Sequence, residues 1–246
     1  MDIRKRFCEF SRMMQEVIAP SLKYSQSLYE KILKLHVKPD MRWLDLGCRE
    51  HILPPWRLEE EKKLTENCRM VAGIDCNLQS LLNHKTISRL IQGDITNLPL
   101  KDSSFDLATA NMVAEHMENP DITFREIQRI LRPGGTFIFH TPNMFGYTAI
   151  LLMLVPRVLK PKLVRFFQRD EEGDFVTYYK ANSTDKIHNL ASAAGFKVVK
   201  IKYLASSAVF TIVPPLALFE IIWIRITMTR LFKPLRTNII AVLQKQ

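Results

Sequence analysis

Three aspartates follow three short apolar runs: Asp45 in WLDLGC, Asp75 in VAGID and Asp94 in QGDI. A carboxylate at the end of a strand accepts hydrogen bonds from hydroxyl and amino donors, and one such residue alone is usually a turn or helix-capping residue. Three of them after three consecutive strands share the carboxyl edge of one sheet, where open α/β sheets bind ligands. Gly47 follows two positions after Asp45 and lets the backbone approach a bound group closely. The side chains able to accept a proton nearby are His116 and His140, after the fourth and fifth apolar runs. Each is equally suited to a structural hydrogen bond.

These residue types match the demands of an adenosyl group. Asp45 is placed to order the loop after the first strand, and Asp75 to accept from both ribose hydroxyls. Asp94 is placed to accept from the adenine amino group, while Ile95 packs on the ring. The loop WLDLGCREH lacks the full G-x-G-x-x-G pattern, and Gly47 and Asp75 stand 28 positions apart. That exceeds the ~20 of the dinucleotide fingerprint, leaves room for the inserted ILPPWRLEEEKK and disfavours a nicotinamide enzyme.

The elements that must position these residues alternate. Strands are expected at 42–46, 70–75, 88–92, 105–110 and 136–141, with helical stretches near 57–66, 77–84 and 121–131. Short apolar runs separated by helices indicate βαβ units and a parallel sheet. Arg132-Pro133-Gly134-Gly135 ends the last of these helices and turns the chain. Before them, Phe7, Phe10, Met14 and Ile18, then Leu28, Ile32 and Leu35, have helical spacing on either side of Pro20-Ser21. After residue 142, segment 147–160 is strongly apolar, and Ser183 or Thr184 caps a helix that Gly195 ends. Residues 196–203 and 207–213 are expected as a closing hairpin, 215–232 as an extra helix and 235–244 as an amphipathic helical piece. This divides the chain into N-terminal helices (1–38), a central domain (39–213, with an acceptor-side insertion at 145–182) and an apolar, basic helical appendage (214–246).

A chain of 246 residues with 47% hydrophobic residues can bury a sizeable core. Cys8, Cys48, Cys68 and Cys76 form no C-x-x-C pair, which argues against a disulfide scaffold or zinc site and fits a reducing cytoplasm. No apolar h-region follows MDIRKRFCEF, so no secretory signal is expected. The net charge of +10 is uneven: residues 1–150 hold 20 basic against 19 acidic residues, residues 151–246 hold 15 against 6. Two readings of 147–160 and 215–232 stay open. One is burial over the acceptor site. The other is contact with an anionic membrane surface, with Arg157, Lys160, Lys162, Arg165, Arg225, Arg230, Lys233 and Arg236 at the headgroups. Nucleic acid is not expected, because the basic residues frame no recognition element.

In order, LDLGC, GID, GDITNLPLKDSSFDLATANMVAEHM, REIQRILRPGG and FIFHTPN resemble the motifs of class I S-adenosylmethionine-dependent methyltransferases. The likeness covers residues 40–145 and is nearest the small-molecule methyltransferase domain of bacterial polysaccharide and lipid modification. The later TYYKAN and AAGF resemble the C-terminal half of such enzymes. The resemblance implies a Rossmann-like α/β fold: a seven-stranded, mostly parallel sheet with helices on both faces and extra C-terminal helices. It also implies S-adenosylmethionine as cofactor and a small-molecule acceptor. It places Asp45, Gly47, Cys48 and Arg49 at the cofactor loop, Asp75 and Cys76 at the ribose, Asp94 and Ile95 at the adenine, and Asn111 beside the methyl donor. Glu115, Tyr178, Tyr179 and Asn182 fall on the acceptor side, with His116 and His140 as candidate general bases for a hydroxyl on a sugar or lipid-linked intermediate. The sequence departs at Arg49 and His51, where these enzymes commonly have glycine. Arg49 brings a charge near a sulfonium and can pair with the methionine carboxylate. The alternative is a catalytically degenerate cofactor-binding or interaction protein with this fold.

Overall fold

The computed structural model describes residues 3–156, 158, 159, 162 and 176–246. Most of segment 157–175 of the expected acceptor-side insertion, with Arg157, Lys160 and Arg165, lies outside the described residues. In chain order the elements are α1 (Ile3–Ile18), α2 (Ser25–His36), β1 (Arg42–Leu46), α3 (Leu58–Glu66), β2 (Met70–Asp75), α4 (Leu78–Leu82), β3 (Arg89–Gln92) and β4 (Phe105–Asn111). They continue with α5 (Pro120–Ile130), β5 (Leu131–Pro142), α6 (Tyr147–Leu154), α7 (Thr184–Ala193), β6 (Phe196–Leu204), α8 (Pro214–Thr227) and β7 (Asn238–Lys245). The chain divides into two compact units. One comprises Leu28–Thr141, Thr177–Lys202 and Ile239–Gln246; the other holds the described parts of 1–27, 142–176 and 203–238.

The first unit carries the sheet, of order β3-β2-β1-β4-β5-β7-β6. β1 pairs in parallel with β2 and β4, β2 with β3, and β4 with β5. At the far end of β7, Lys245 Nζ donates to Leu131 O and Gln246 N to Gly195 O, so β7 ends where β5 and β6 begin and runs against both. Trp43, Leu44 and Leu46 of β1, Leu107 and Ala108 of β4, and Phe137, Ile138 and Phe139 of β5 are buried, as expected of strands covered on both faces. Helix α5 starts with Pro120, which has no amide hydrogen to leave unpaired. It buries Phe124, Ile127 and Ile130 on one side, and Phe124 meets the rings of Phe137 and Phe139 edge-on. The Arg132–Gly135 turn falls inside β5 as a register shift opposite Phe105–Leu107, with Gly134 left-handed at φ +78°.

Two expectations are corrected. Residues 235–244 do not form an amphipathic helix: Asn238–Lys245 is β7, and Ile239 to Leu243 are all buried. A strand between two neighbours and covered on both faces reads as a continuous apolar run, and periodicity cannot separate that from a buried helix. Residues 207–213 form no strand. The backbone amides of Val209 and Phe210 instead donate to the Glu220 carboxylate at 2.7 and 2.8 Å. The 214–246 segment is therefore not an appendage, since its last strand fills the sheet position between β5 and β6.

In the second unit α1 packs on α8, and Ser11 Oγ donates to Thr211 O at 2.9 Å. Tyr147 of α6 bonds to Glu220 of α8 at 2.5 Å. The Arg236 guanidinium caps the end of α8 by donating to Thr227 O and Met228 O. Asn143 Nδ2 donates to Pro234 O and Arg236 O, each at 2.7 Å. Among the described residues, no helix is long and apolar enough to cross a membrane.

Candidate functional site

The loop after β1 is tied to the end of β2. Gly47 N and Cys48 N both donate to Ile74 O, at 2.8 and 3.2 Å, and Arg49 N donates to Asp75 Oδ2 at 3.0 Å. The other Asp75 oxygen accepts from Asn77 N at 2.8 Å, just ahead of α4. One carboxylate thus clamps both loops of the crevice, and each of its oxygens retains acceptor capacity for a further donor. Gly47 sits at φ +67°, and a Cβ there would come within 2.6 Å of Val113 Cγ2. Arg49 also adopts a left-handed conformation, φ +46°. The loop therefore keeps at Arg49 a backbone shape that glycine takes without strain, at a cost of about 1–2 kcal/mol. The departure at Arg49 adds a charged side chain while the backbone stays glycine-like.

Asp45, expected to order the loop after β1, lies buried behind that loop. It is 2% exposed and accepts from Thr109 Oγ1, which itself accepts from Trp43 Nε1 at 2.6 Å. Burial pushes its pKa up to about 8; the Thr109 bond opposes this, and the nearby Glu61 and Asp75 carboxylates add to it. At neutral pH Asp45 is therefore mostly a neutral acid. Glu61, which sequence reasoning passed over, is buried and receives Leu53 N at 2.7 Å and Thr86 Oγ1, which fixes the inserted loop. Its sequence signal, one of three consecutive glutamates, looks like a solvated helix face. The Cys48 thiol is buried against β2, where a Cβ on Gly73 would meet its sulfur at 2.5 Å, so this side chain acts through packing. Cys76 is exposed.

Gly93 N donates to Asp75 O at 3.1 Å, which brings the ends of β2 and β3 together. Asp94 follows immediately, exposed, with Oδ1 accepting from Thr96 N at 2.8 Å; Ile95 is half-buried. Asn111 ends β4 in register with His140 of β5, and Asn111 Oδ1 lies 2.9 Å from His140 Nδ1. The amide oxygen can only accept, so Nδ1 carries the imidazole proton. His140 is fully buried, stacks on Tyr29 with centroids 5.7 Å apart, and burial lowers its pKa to about 3. This corrects its candidacy as a general base: enclosed and that weakly basic, it holds Asn111 in place.

His116 lies half-buried in the turn Ala114–His116. That turn also organises the acceptor-side candidates. Tyr178 N and Tyr179 N donate to Glu115 O at 2.8 and 3.3 Å. Thr141 Oγ1 donates to the Glu115 carboxylate at 3.0 Å and accepts from Asn182 Nδ2 at 2.6 Å. The structure brings all four residues together, yet Glu115, Asn182 and Tyr179 are buried and form framework. Tyr178, 38% exposed, and His116 present more surface than they do.

The donor set fits an S-adenosyl group: a clamped carboxylate with spare acceptor capacity at one strand end, a second carboxylate beside an apolar side chain at the next, and a glycine-like loop between β1 and α3. Comparison with known proteins agrees. Residues 44–139 match the family model described as a methyltransferase domain. Demethylmenaquinone methyltransferase from Staphylococcus haemolyticus is 25% identical over 179 residues, 68% of this chain and 73% of that protein. Its namesake from Corynebacterium kroppenstedtii is 33% identical over 136 residues, 52% of this chain and 56% of that one, so the chain spans little more than half of this relative. An S-adenosylmethionine-dependent methyltransferase from Mesorhizobium loti shares the fold with a TM-score of 0.57 at 17% identity, over 87% of this chain and 96% of that one. Residues 44–139 thus carry a methyltransferase domain, and the sheet that holds them has the Rossmann-like fold of S-adenosylmethionine-dependent methyltransferases.

Proposed function

We propose that this protein methylates a hydroxyl of a small molecule, a sugar or lipid-linked intermediate, and that Asp75 and Asp94 hold the adenosyl end of the cofactor. The observation that carries the cofactor assignment is the Asp75 carboxylate, fixed by Arg49 N and Asn77 N at 3.0 and 2.8 Å with acceptor capacity to spare. A vicinal diol matches two such oxygens. Asp94 and Ile95, one strand over, suit an amino group and a flat ring. The Arg49 guanidinium suits the methionine carboxylate. S-adenosylmethionine supplies an electrophilic methyl group when bound; the chain's task is to orient the acceptor and exclude water. His116 is the remaining candidate to take the hydroxyl proton, and Tyr178, whose amide donates to the Glu115 carbonyl, is a candidate for the acceptor side. The Staphylococcus relative, named as a demethylmenaquinone methyltransferase, supports a small-molecule acceptor.

The test is calorimetric titration with S-adenosylmethionine of the wild type and Asp75→Ala, followed by transfer of labelled methyl groups into fractionated cell extract. Binding by the wild type that is lost in Asp75→Ala supports the assignment. A wild type that binds no cofactor removes it. Label appearing only on carbon or nitrogen would refute the hydroxyl acceptor while leaving the cofactor site intact.

A further inference from the structure

Helix α8 is apolar on two sides. Its inner face, Ala217, Ile221, Ile224 and Thr227, is buried together with Glu220. Its outer face is not: Leu218, Phe219, Ile222 and Ile226 are exposed, Phe219 by 74%. Spacings of three, four and eight place these four side chains on one side of the helix. Leu231, 81% exposed, and Phe232 follow directly. In the same unit, Ile3, Phe10, Met13 and Val17 form a second exposed stripe along α1, spaced seven, three and four residues apart. Single exposed apolar residues are ordinary, but continuous stripes on packed helices mark a surface that something covers.

Charge identifies the cover. Arg225, Arg230 and Lys233 are exposed at the C-terminal end of the α8 stripe, and Lys5, Arg6 and Arg12 along α1. Among the described residues of this unit the exposed acids are Glu9 and Glu16 only; the Glu220 carboxylate is turned inward to Tyr147, Val209 and Phe210. The 14 residues of α8 rise about 21 Å, short of the ~30 Å hydrocarbon core, so the helix is too short to span a bilayer and is suited to lie in its interface.

We propose that α8 and the residues after it dock on the surface of an anionic lipid bilayer. Leu218, Phe219, Ile222 and Ile226 enter the headgroup boundary, and Arg225, Arg230 and Lys233 sit among the phosphates. The inference is independent of the methyl-transfer reading, and its test reads partition alone.

The full chain is sedimented with vesicles of neutral phosphatidylcholine, and with vesicles containing about one third phosphatidylglycerol, at low and high salt. Two variants accompany it, Phe219→Ser/Ile222→Ser and Arg225→Glu/Arg230→Glu, with circular dichroism melts to confirm folding. Both pairs of side chains point away from the core. The expected result is partition to the anionic vesicles, weakened at least tenfold by high salt and by either variant. Failure of the folded wild type to partition, equal partition to neutral vesicles, or retention of binding by both variants overturns the proposal. So does a dimer in light scattering that Phe219→Ser/Ile222→Ser makes monomeric, because a second copy would then be the cover.

Discussion

Replacing Asp45 with Asn should change the pH dependence of stability in one definable window. The folded protein holds a proton on Asp45 up to about pH 8, whereas the unfolded chain releases it near the ordinary value of 3.8. The folded pKa is raised, so the native state binds more protons than the unfolded state between these values, and stability falls as pH rises. A full proton of difference gives a slope of about −1.4 kcal/mol per pH unit. Below pH 6.5 two histidines oppose it. His84 and His140 have folded values lowered to about 4 and about 3, so each adds stability as pH rises towards 6.5. Above about pH 8.5 the unfolded cysteines titrate. Between pH 6.5 and 8 the Asp45 contribution stands clear and amounts to a loss of about 2 kcal/mol, an order-of-magnitude figure. Asn keeps an acceptor for Thr109, the hydroxyl that Asp45 now receives, and carries no ionisable proton. Urea unfolding of both proteins at pH 6.5, 7.25 and 8.0 should show a declining stability for the wild type and a nearly flat one for Asp45→Asn. Parallel slopes would refute the reasoning and would mean that Asp45 is ionised in the folded state.

Three further outcomes follow from particular contacts. Arg49→Gly relieves a left-handed residue but loosens the unfolded chain, so its thermal stability should stay within about 1 kcal/mol of wild type; a larger loss would show that the arginine side chain holds the loop. Phe124→Ala removes a ring packed edge-on against Phe137 and Phe139 and should cost about 3–5 kcal/mol in urea unfolding, with a loss under 1 kcal/mol contradicting the packing. His140→Phe keeps an aromatic ring beside Tyr29 but removes the hydrogen bond between His140 Nδ1 and Asn111 Oδ1. It should cost about 1–3 kcal/mol, and the acid limb of any pH–rate profile should survive it; disappearance of that limb would restore His140 as the base.

The strands that carry the site were legible because each is a short apolar run ending in a residue of distinct chemistry. RWLDL, MVAGID and FDLATA are found within a residue of their expected bounds. A parallel sheet forces their carboxyl ends to one edge, so Asp75 and Asp94 at neighbouring strand ends followed from local pattern and topology alone. The stretch NIIAVLQK carried no such clue: the apolar run 239–243 of a strand inserted between two others has no strand periodicity, and only its partners β5 and β6 make it one.

The sequence by itself determined the alternation of strands and helices and the acids on the sheet edge, because these rest on short-range periodicity and spacing. Only the tertiary structure decided which of those groups are charged and which face solvent. Asp45 is neutral because burial and the carboxylates of Glu61 and Asp75, 16 and 30 positions away, act on it together. His140 is a weak base because strands and helix close over it, and Arg49 keeps a glycine-like backbone because Asp75 holds its amide. Solvation and Coulomb energies sum over neighbours in space, and the order of residues along the chain does not contain that sum.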